Sequence, residues 1–168
     1  SVIESCVCMG ASVGMARGAS EAGVHPVVAV IGDSTFLHSG MPALLDAVHA
    51  NANMTLLILD NQTVGMTGGQ ETIVASSKLH DLVLGLGVDP EHCHVVDAHP
   101  RQVEKNAGLL RREIAYAGLS VVIAVRECKE TAKRRARAAA AAASAAAASA
   151  PAAVGTAAAL STQREVTS

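Results

Sequence analysis

Hydrophobic positions along the chain fall into two rhythms. Val27-Val28-Ala29-Val30-Ile31, Leu56-Leu57-Ile58-Leu59 and residues 119–125 are short, unbroken apolar runs rich in Val, Ile and Leu. Runs of that length and kind predict strands buried on both faces. A shorter one, residues 94–96, predicts a further strand. Between the runs the apolar positions recur at helical spacing. Residues 10–22 form a small-residue helix with Gly23 as stop signal, and Gly10, Gly14 and Gly18 share one of its faces, open to close approach by another backbone. Leu44, Leu45 and Val48 mark a helix over 41–50, with Pro42 suited to its first turn. A short helix covers 79–86 and ends at Gly85 or Gly87. A longer one covers 100–117, with Val103, Ala107, Leu110, Ile114 and Ala117 as its inner stripe. Residues 32–40 read as a loop. Residues 61–77, with Gly65, Gly68 and Gly69, form a longer one whose length marks a functional loop rather than a connector. Strands alternating with helices predict an α/β domain, a parallel sheet with helices on both faces.

Past Lys129 the rhythm stops. The basic cluster Lys133-Arg134-Arg135-Ala136-Arg137 runs into an Ala/Ser tract, and the last residues are small and polar. Two regions follow: a domain over 1–128 and a low-complexity, flexible tail over 129–168. Alanine favours a lone helix over 130–148, with no larger apolar stripe to dock it. The basic cluster suits a solvated linker, an address or a nucleic-acid contact. With a formal net charge of −2, bulk electrostatics give no reason to expect nucleic-acid binding. Aromatics are almost absent, Phe36 and Tyr116 alone, without Trp. Cys6-Val7-Cys8 is too tight for common zinc spacing, and the four cysteines carry no mark of a disulfide framework. No run has the length and hydrophobicity of a membrane span. Without a basic, apolar leader at its start, the chain is expected to be cytoplasmic.

The chemistry lies where two strands end. The first delivers Gly32-Asp33-Ser34 and the second Asp60-Asn61-Gln62-Thr63, with Thr67-Gly68-Gly69-Gln70 following. In open parallel sheets ligands bind beyond the carboxyl ends of the strands. Mg²⁺ takes oxygen ligands and is often held by one or two protein groups together with a substrate's phosphates. Asp33 and Asn61 are separated by a helix and a strand, as a parallel crossover requires. The pattern reads as a metal–diphosphate site. The same residues also serve as turn-forming strand exits, since Gly, Asn and Asp punctuate loops.

Gly-Asp-Ser, just under thirty residues, then Asp-Asn, resembles the signature of thiamine diphosphate enzymes. With Cys6-Val7-Cys8-Met9-Gly10-Ala11-Ser12, Ser34-Thr35-Phe36-Leu37-His38-Ser39-Gly40 and Met66-Thr67-Gly68-Gly69-Gln70, residues 3–128 resemble the thiamine diphosphate-binding domain of 2-oxoacid:ferredoxin oxidoreductases, above all the indolepyruvate large (alpha) subunits. The resemblance implies that Asp33, Asn61 and the Thr63 main-chain carbonyl hold Mg²⁺. It further implies that Gly32, Ser34 and Thr35 donate to the diphosphate, that Met9 and Gly10 approach the cofactor, and that Met66, Thr67, Gly68 and Gln70 close over it. Met9 and Met66 suit core filling as well. His38 is the candidate catalytic residue on the substrate side, or else a loop histidine holding Ser39 or a backbone carbonyl. The implied activity is oxidative decarboxylation of a 2-oxo acid, an indolepyruvate or other aryl pyruvate. Coenzyme A accepts the acyl group, and electrons pass through iron–sulfur clusters to ferredoxin.

The chain departs from that family in what it lacks. The expectation is a separate pyrimidine-binding domain or subunit and a second oxidoreductase subunit. Clusters would lie on regions outside this chain, since Cys128 has no Cys-x-x-Cys neighbour. The chain is then a fragment or a split subunit that does not turn over alone. Two other readings stay open: a subunit of a non-oxidative thiamine-dependent decarboxylase, and a non-catalytic binding or scaffold domain.

Overall fold

The computed structural model describes residues 5–61, 63–64, 70–71, 76–127, 131, 133–134 and 136–141. The chain divides into two units, Ser1–Ala132 and Lys133–Ser168. In the first, β1 (Val28–Gly32), β2 (Met54–Asp60), β5 (Cys93–Asp97) and β6 (Leu119–Val125) form a parallel sheet in the order β1-β2-β6-β5. Two short strands, β3 (Thr63–Val64) and β4 (Gln70–Glu71), pair antiparallel outside it. Gly32 lies opposite Leu59, and Val125 lies opposite both Asp60 and Asp97. The carboxyl ends of the strands are therefore level. Central β6 is buried through Leu119–Ile123, which accounts for its apolar sequence.

Alternation along the strands sorts the two faces. Ala29, Ile31, Leu56, Ile58, Val121 and Ile123 share a core with Val13 and Ala16 of α1 (Ala11–Glu21), Leu44 and Ala47 of α3 (Met41–His49) and Leu79 and Val83 of α4 (Ser76–Gly85). The opposite face carries α5 (Val103–Ala115). There the Thr55 hydroxyl donates to the Glu113 carbonyl at 3.1 Å, and the Ser120 hydroxyl donates to Thr55 Oγ1 at 3.0 Å. Both faces carry helices, as the sequence pattern predicts. The cover on the α5 side is partial, and Val28, Val30 and Leu59 are exposed.

Two expectations need correction. Residues 32–40 are not a loop. Asp33–Thr35 is a helical turn, α2, and Phe36–Gly40 is a wider π-helical turn that runs straight into α3. Phe36 is fully buried, and a Cβ on Gly40 would sit 2.7 Å from its ring and 2.9 Å from Ile31 Cδ1. The missing side chain lets this turn close over the strand. The helix expected over 100–117 begins with a 3₁₀ turn, Pro100–Gln102, and ends at Ala115, where Tyr116 turns extended. Val103 and Ala117 are exposed, and the buried residue of α5 is Glu113.

Glu113 is buried against two histidines from outside its own helix, with Arg112 beside it. His92 Nδ1 lies 2.9 Å from its Oε2, His94 Nε2 2.9 Å from its Oε1, and Arg112 Nε 3.1 Å from the same oxygen. The Tyr116 ring stacks on His92 at 3.5 Å. Burial alone would raise the Glu113 carboxyl, but the His92, Arg112 and His94 contacts outweigh it and hold the group below the ordinary glutamate range. The cluster closes the amino end of the sheet. Cys6 and Cys8 are exposed free thiols, while Cys93 is buried and its thiol pushed up to about 11. In the second unit the described residues, 133–134 and 136–141, are helical. Most of the stretch read as a flexible tail lies outside the described residues.

Candidate functional site

Strands β1 and β2 deliver the two expected side chains. Asp33 follows Gly32 and opens α2, and Asn61 follows Asp60. Asp33 is 5 % exposed, and its Oδ2 is buried without a hydrogen-bond partner. Its carboxyl is held above the ordinary aspartate range. Burial is the main cause, a hydrogen bond from the Ser34 backbone N–H opposes it, and the neighbouring Asp60 carboxyl adds to the rise. Asp60 is 3 % exposed; the sequence pattern includes it in the exit motif Asp60-Asn61-Gln62-Thr63 but gives it no role. The signal that could have found it is an acid closing an apolar strand at the same level as a second strand ending in an acid.

The start of α1 reaches the same corner. Gly10 precedes α1 with φ 90°, and no side chain caps the helix. A Cβ there would run into Ser39 Oγ. The Ser39 hydroxyl donates to the Thr35 carbonyl at 3.1 Å, which fixes the turn after Asp33. Gly10, Gly32, Asp33, Ser34 and Thr35 are thus brought together. Met9 is 70 % exposed and fills no core. His38 is exposed on the π-helical turn.

Of the downstream candidates, Thr63 lies in β3 and Gln70 in β4, where Gln70 pairs with Val64. The hairpin therefore returns toward β2's end. Met66, Thr67 and Gly68 lie outside the described residues. Among the described residues no three His, Cys, Asp or Glu side chains are grouped to hold a metal ion. A cation at this corner would draw on one carboxylate, an amide and main-chain oxygen, the donor chemistry of Mg²⁺ rather than zinc. An orphaned carboxylate oxygen suits a cation, and the uncapped N–H groups at the start of α1 suit a diphosphate. The residues present fit both groups.

The family model described as "Thiamine pyrophosphate enzyme, C-terminal TPP binding domain" matches residues 2–115. The indolepyruvate oxidoreductase subunit IorA of Archaeoglobus fulgidus is 39 % identical over 136 residues, which are 75 % of this chain and 21 % of that protein. Its counterpart from Methanothermobacter marburgensis is 35 % identical, over 76 % of this chain and 22 % of that one. The chain thus spans about a fifth of the length of these curated relatives. Among solved structures, the thiamine diphosphate-dependent 4-hydroxybenzoylformate decarboxylase of Rhodococcus jostii RHA1 superposes with a TM-score of 0.54 at 19 % identity, covering 73 % of this chain and 24 % of that one, a likeness of fold. Among the described residues no helix is long and apolar enough to cross a membrane. The chain belongs to the thiamine pyrophosphate enzyme family, and what it carries is that family's C-terminal TPP-binding domain.

Proposed function

We propose that this chain is the Mg²⁺–thiamine diphosphate-binding half of a 2-oxoacid ferredoxin oxidoreductase acting on indolepyruvate or a related aryl pyruvate. Residues 1–128 form the binding domain and 129–168 a tail. The observation that carries the reading is the orphaned, buried Asp33 Oδ2 at a strand exit, on the strand next to the one that delivers Asn61. Asp33, Asn61 and the Thr63 carbonyl hold the cation. Gly32, Ser34 and Thr35, with Met9 and Gly10, receive the diphosphate end, and Met66, Thr67, Gly68 and Gln70 close over it. His38, exposed at the rim, faces the substrate.

When bound, the thiamine cofactor supplies a carbon nucleophile for the 2-oxo acid and a sink for the electrons left as CO₂ departs. This chain's residues anchor and orient. A buried aspartate with one free oxygen needs little rearrangement to accept a cation, and helix N–H groups already aimed at the corner bind the diphosphate without side-chain ordering. No general acid or base is assigned to Asp33 or Asn61. Completion of the active centre falls to a pyrimidine-binding domain or subunit. A second oxidoreductase subunit, iron–sulfur clusters, ferredoxin and coenzyme A then turn decarboxylation into acyl-CoA formation. The sequence identity with IorA subunits over three quarters of the chain supports this choice of substrate class.

Calorimetry with thiamine diphosphate and Mg²⁺ tests the binding half. Heat is expected from the wild-type chain and its loss from Asp33→Ala; no heat from the wild type, with the pyrimidine domain supplied, refutes the assignment. Pyruvate- and indolepyruvate-dependent viologen reduction by the assembled complex tests the rest.

A further inference from the structure

We propose that Asp60 is a second carboxylate of the cation site, a positioning residue that accepts hydrogen bonds from water bound to the divalent cation. The inference rests on the reading of Asp33 and Asn61 as cation ligands, and it concerns a residue that reading does not use.

Register supplies the geometry. Gly32 pairs with Leu59, so Asp33 and Asp60 are the next residues on adjacent strands and leave the sheet at one level. Both are almost fully buried, at 5 % and 3 % exposure. Each carboxylate gives up water on burial, and their mutual repulsion adds to that cost. Asp33 Oδ2, buried and without a hydrogen-bond donor, shows that the protein does not relieve this charge with its own groups on that atom. A divalent cation relieves it.

A third strand-end acid shows what punctuation looks like in this sheet. Asp97 pairs with Val125, as Asp60 does, and so stands at the same level on β5. It is exposed, and its Oδ1 accepts from the His99 backbone N–H at 2.9 Å, an ordinary turn. Asp60 differs in being enclosed beside Asp33. Mg²⁺ keeps several waters in its octahedral shell, and acceptors that orient such ligands are part of a metal site's design. Asp60, directly preceding Asn61, is placed for that task.

The test measures Mn²⁺ binding to the chain in the presence of thiamine diphosphate by electron paramagnetic resonance of free Mn²⁺, with Mg²⁺ in competition. Asp60→Asn is expected to weaken both cations by ~10–100-fold, as loss of outer-shell partners does. Asp97→Asn should leave cation affinity unchanged. Wild-type binding together with unaltered affinity in Asp60→Asn overturns the inference. Absence of Mn²⁺ binding by the wild type sinks the cation-site reading itself, and this inference with it. If Asp60→Asn does not fold, Asp60→Glu decides: a changed preference for Mg²⁺ over Ca²⁺ supports the role, and an unchanged one overturns it.

Discussion

The two ends of one sheet treat buried carboxylates in opposite ways. At the amino end Glu113 is enclosed by His92, His94 and Arg112, each within about hydrogen-bond distance, and its carboxyl is held low. At the carboxyl end Asp33 is as deeply placed, keeps an oxygen without a donor, sits beside a second acid and is held high. A buried charge that the fold satisfies is part of the fold. One that the fold leaves unsatisfied costs stability, and such strain collects where a ligand will remove it. The difference supports the proposed division of the sheet into scaffold and site without reference to sequence likeness.

The largest expected effect breaks the comparison at its site end. Asp33→Ala should reduce Mg²⁺–thiamine diphosphate affinity by more than the ~10–100-fold that outer-shell changes cost, read by calorimetry. Its unliganded melting temperature should not fall. A drop in stability there would mean that Asp33 is a structural acid like Glu113. The converse test is Glu113→Ala, which should leave cofactor binding within error and destabilise the unliganded domain by roughly 2–3 kcal/mol, since hydrogen bonds to a charged group contribute ~1.5–3 kcal/mol. Urea unfolding measures it. Gly10→Ala acts on the carboxyl end by shape rather than charge. Its φ of 90° disfavours any Cβ, and Ser39 stands in the way. About 1–2 kcal/mol is expected from the left-handed backbone alone, read as a lower melting temperature, with Gly14→Ala in open space as the control.

Much of the scaffold was legible because its signals are local. Leu119–Val125 is apolar at every inward and outward position but Ser120, and a central parallel strand demands that. Pro42 and Gly23 mark helix boundaries by their own backbone preferences. Asp33 and Asn61 were legible because strand exits with oxygen donors are visible in one dimension. The errors arose where a distant partner overrides local chemistry. Ser34, Thr35 and Gly40 look like loop punctuation, yet Phe36 and Ile31 pull that stretch into helix. Glu113 belongs on the solvent side of any amphipathic stripe until β5 and the turn before it bring His94 and His92 to it. Asp60 needed the register between two strands, which no single stretch of sequence contains.

The smallest expected effect is one of pH, and it sharpens the comparison at the scaffold end. Glu113 has its carboxyl depressed in the folded state, with burial opposing and the His92, Arg112 and His94 contacts prevailing. The unfolded chain therefore takes up this proton at a higher pH than the folded one. Where the unfolded state binds more protons, stability falls as pH falls. The contribution of Glu113 is thus complete above the unfolded glutamate value, about 4.3, and is lost as the pH descends through the folded value. Chemical unfolding between pH 7 and 3 should show this as a steeper acid limb for the wild type than for Glu113→Gln, whose amide cannot titrate. The two profiles should differ by no more than one proton's dependence. Parallel profiles would mean that His92, His94 and Arg112 do not act on this carboxylate in the folded domain. The amino end would then hold a buried acid as poorly satisfied as Asp33, and burial with unmet hydrogen bonding would no longer distinguish the binding end of the sheet from the other.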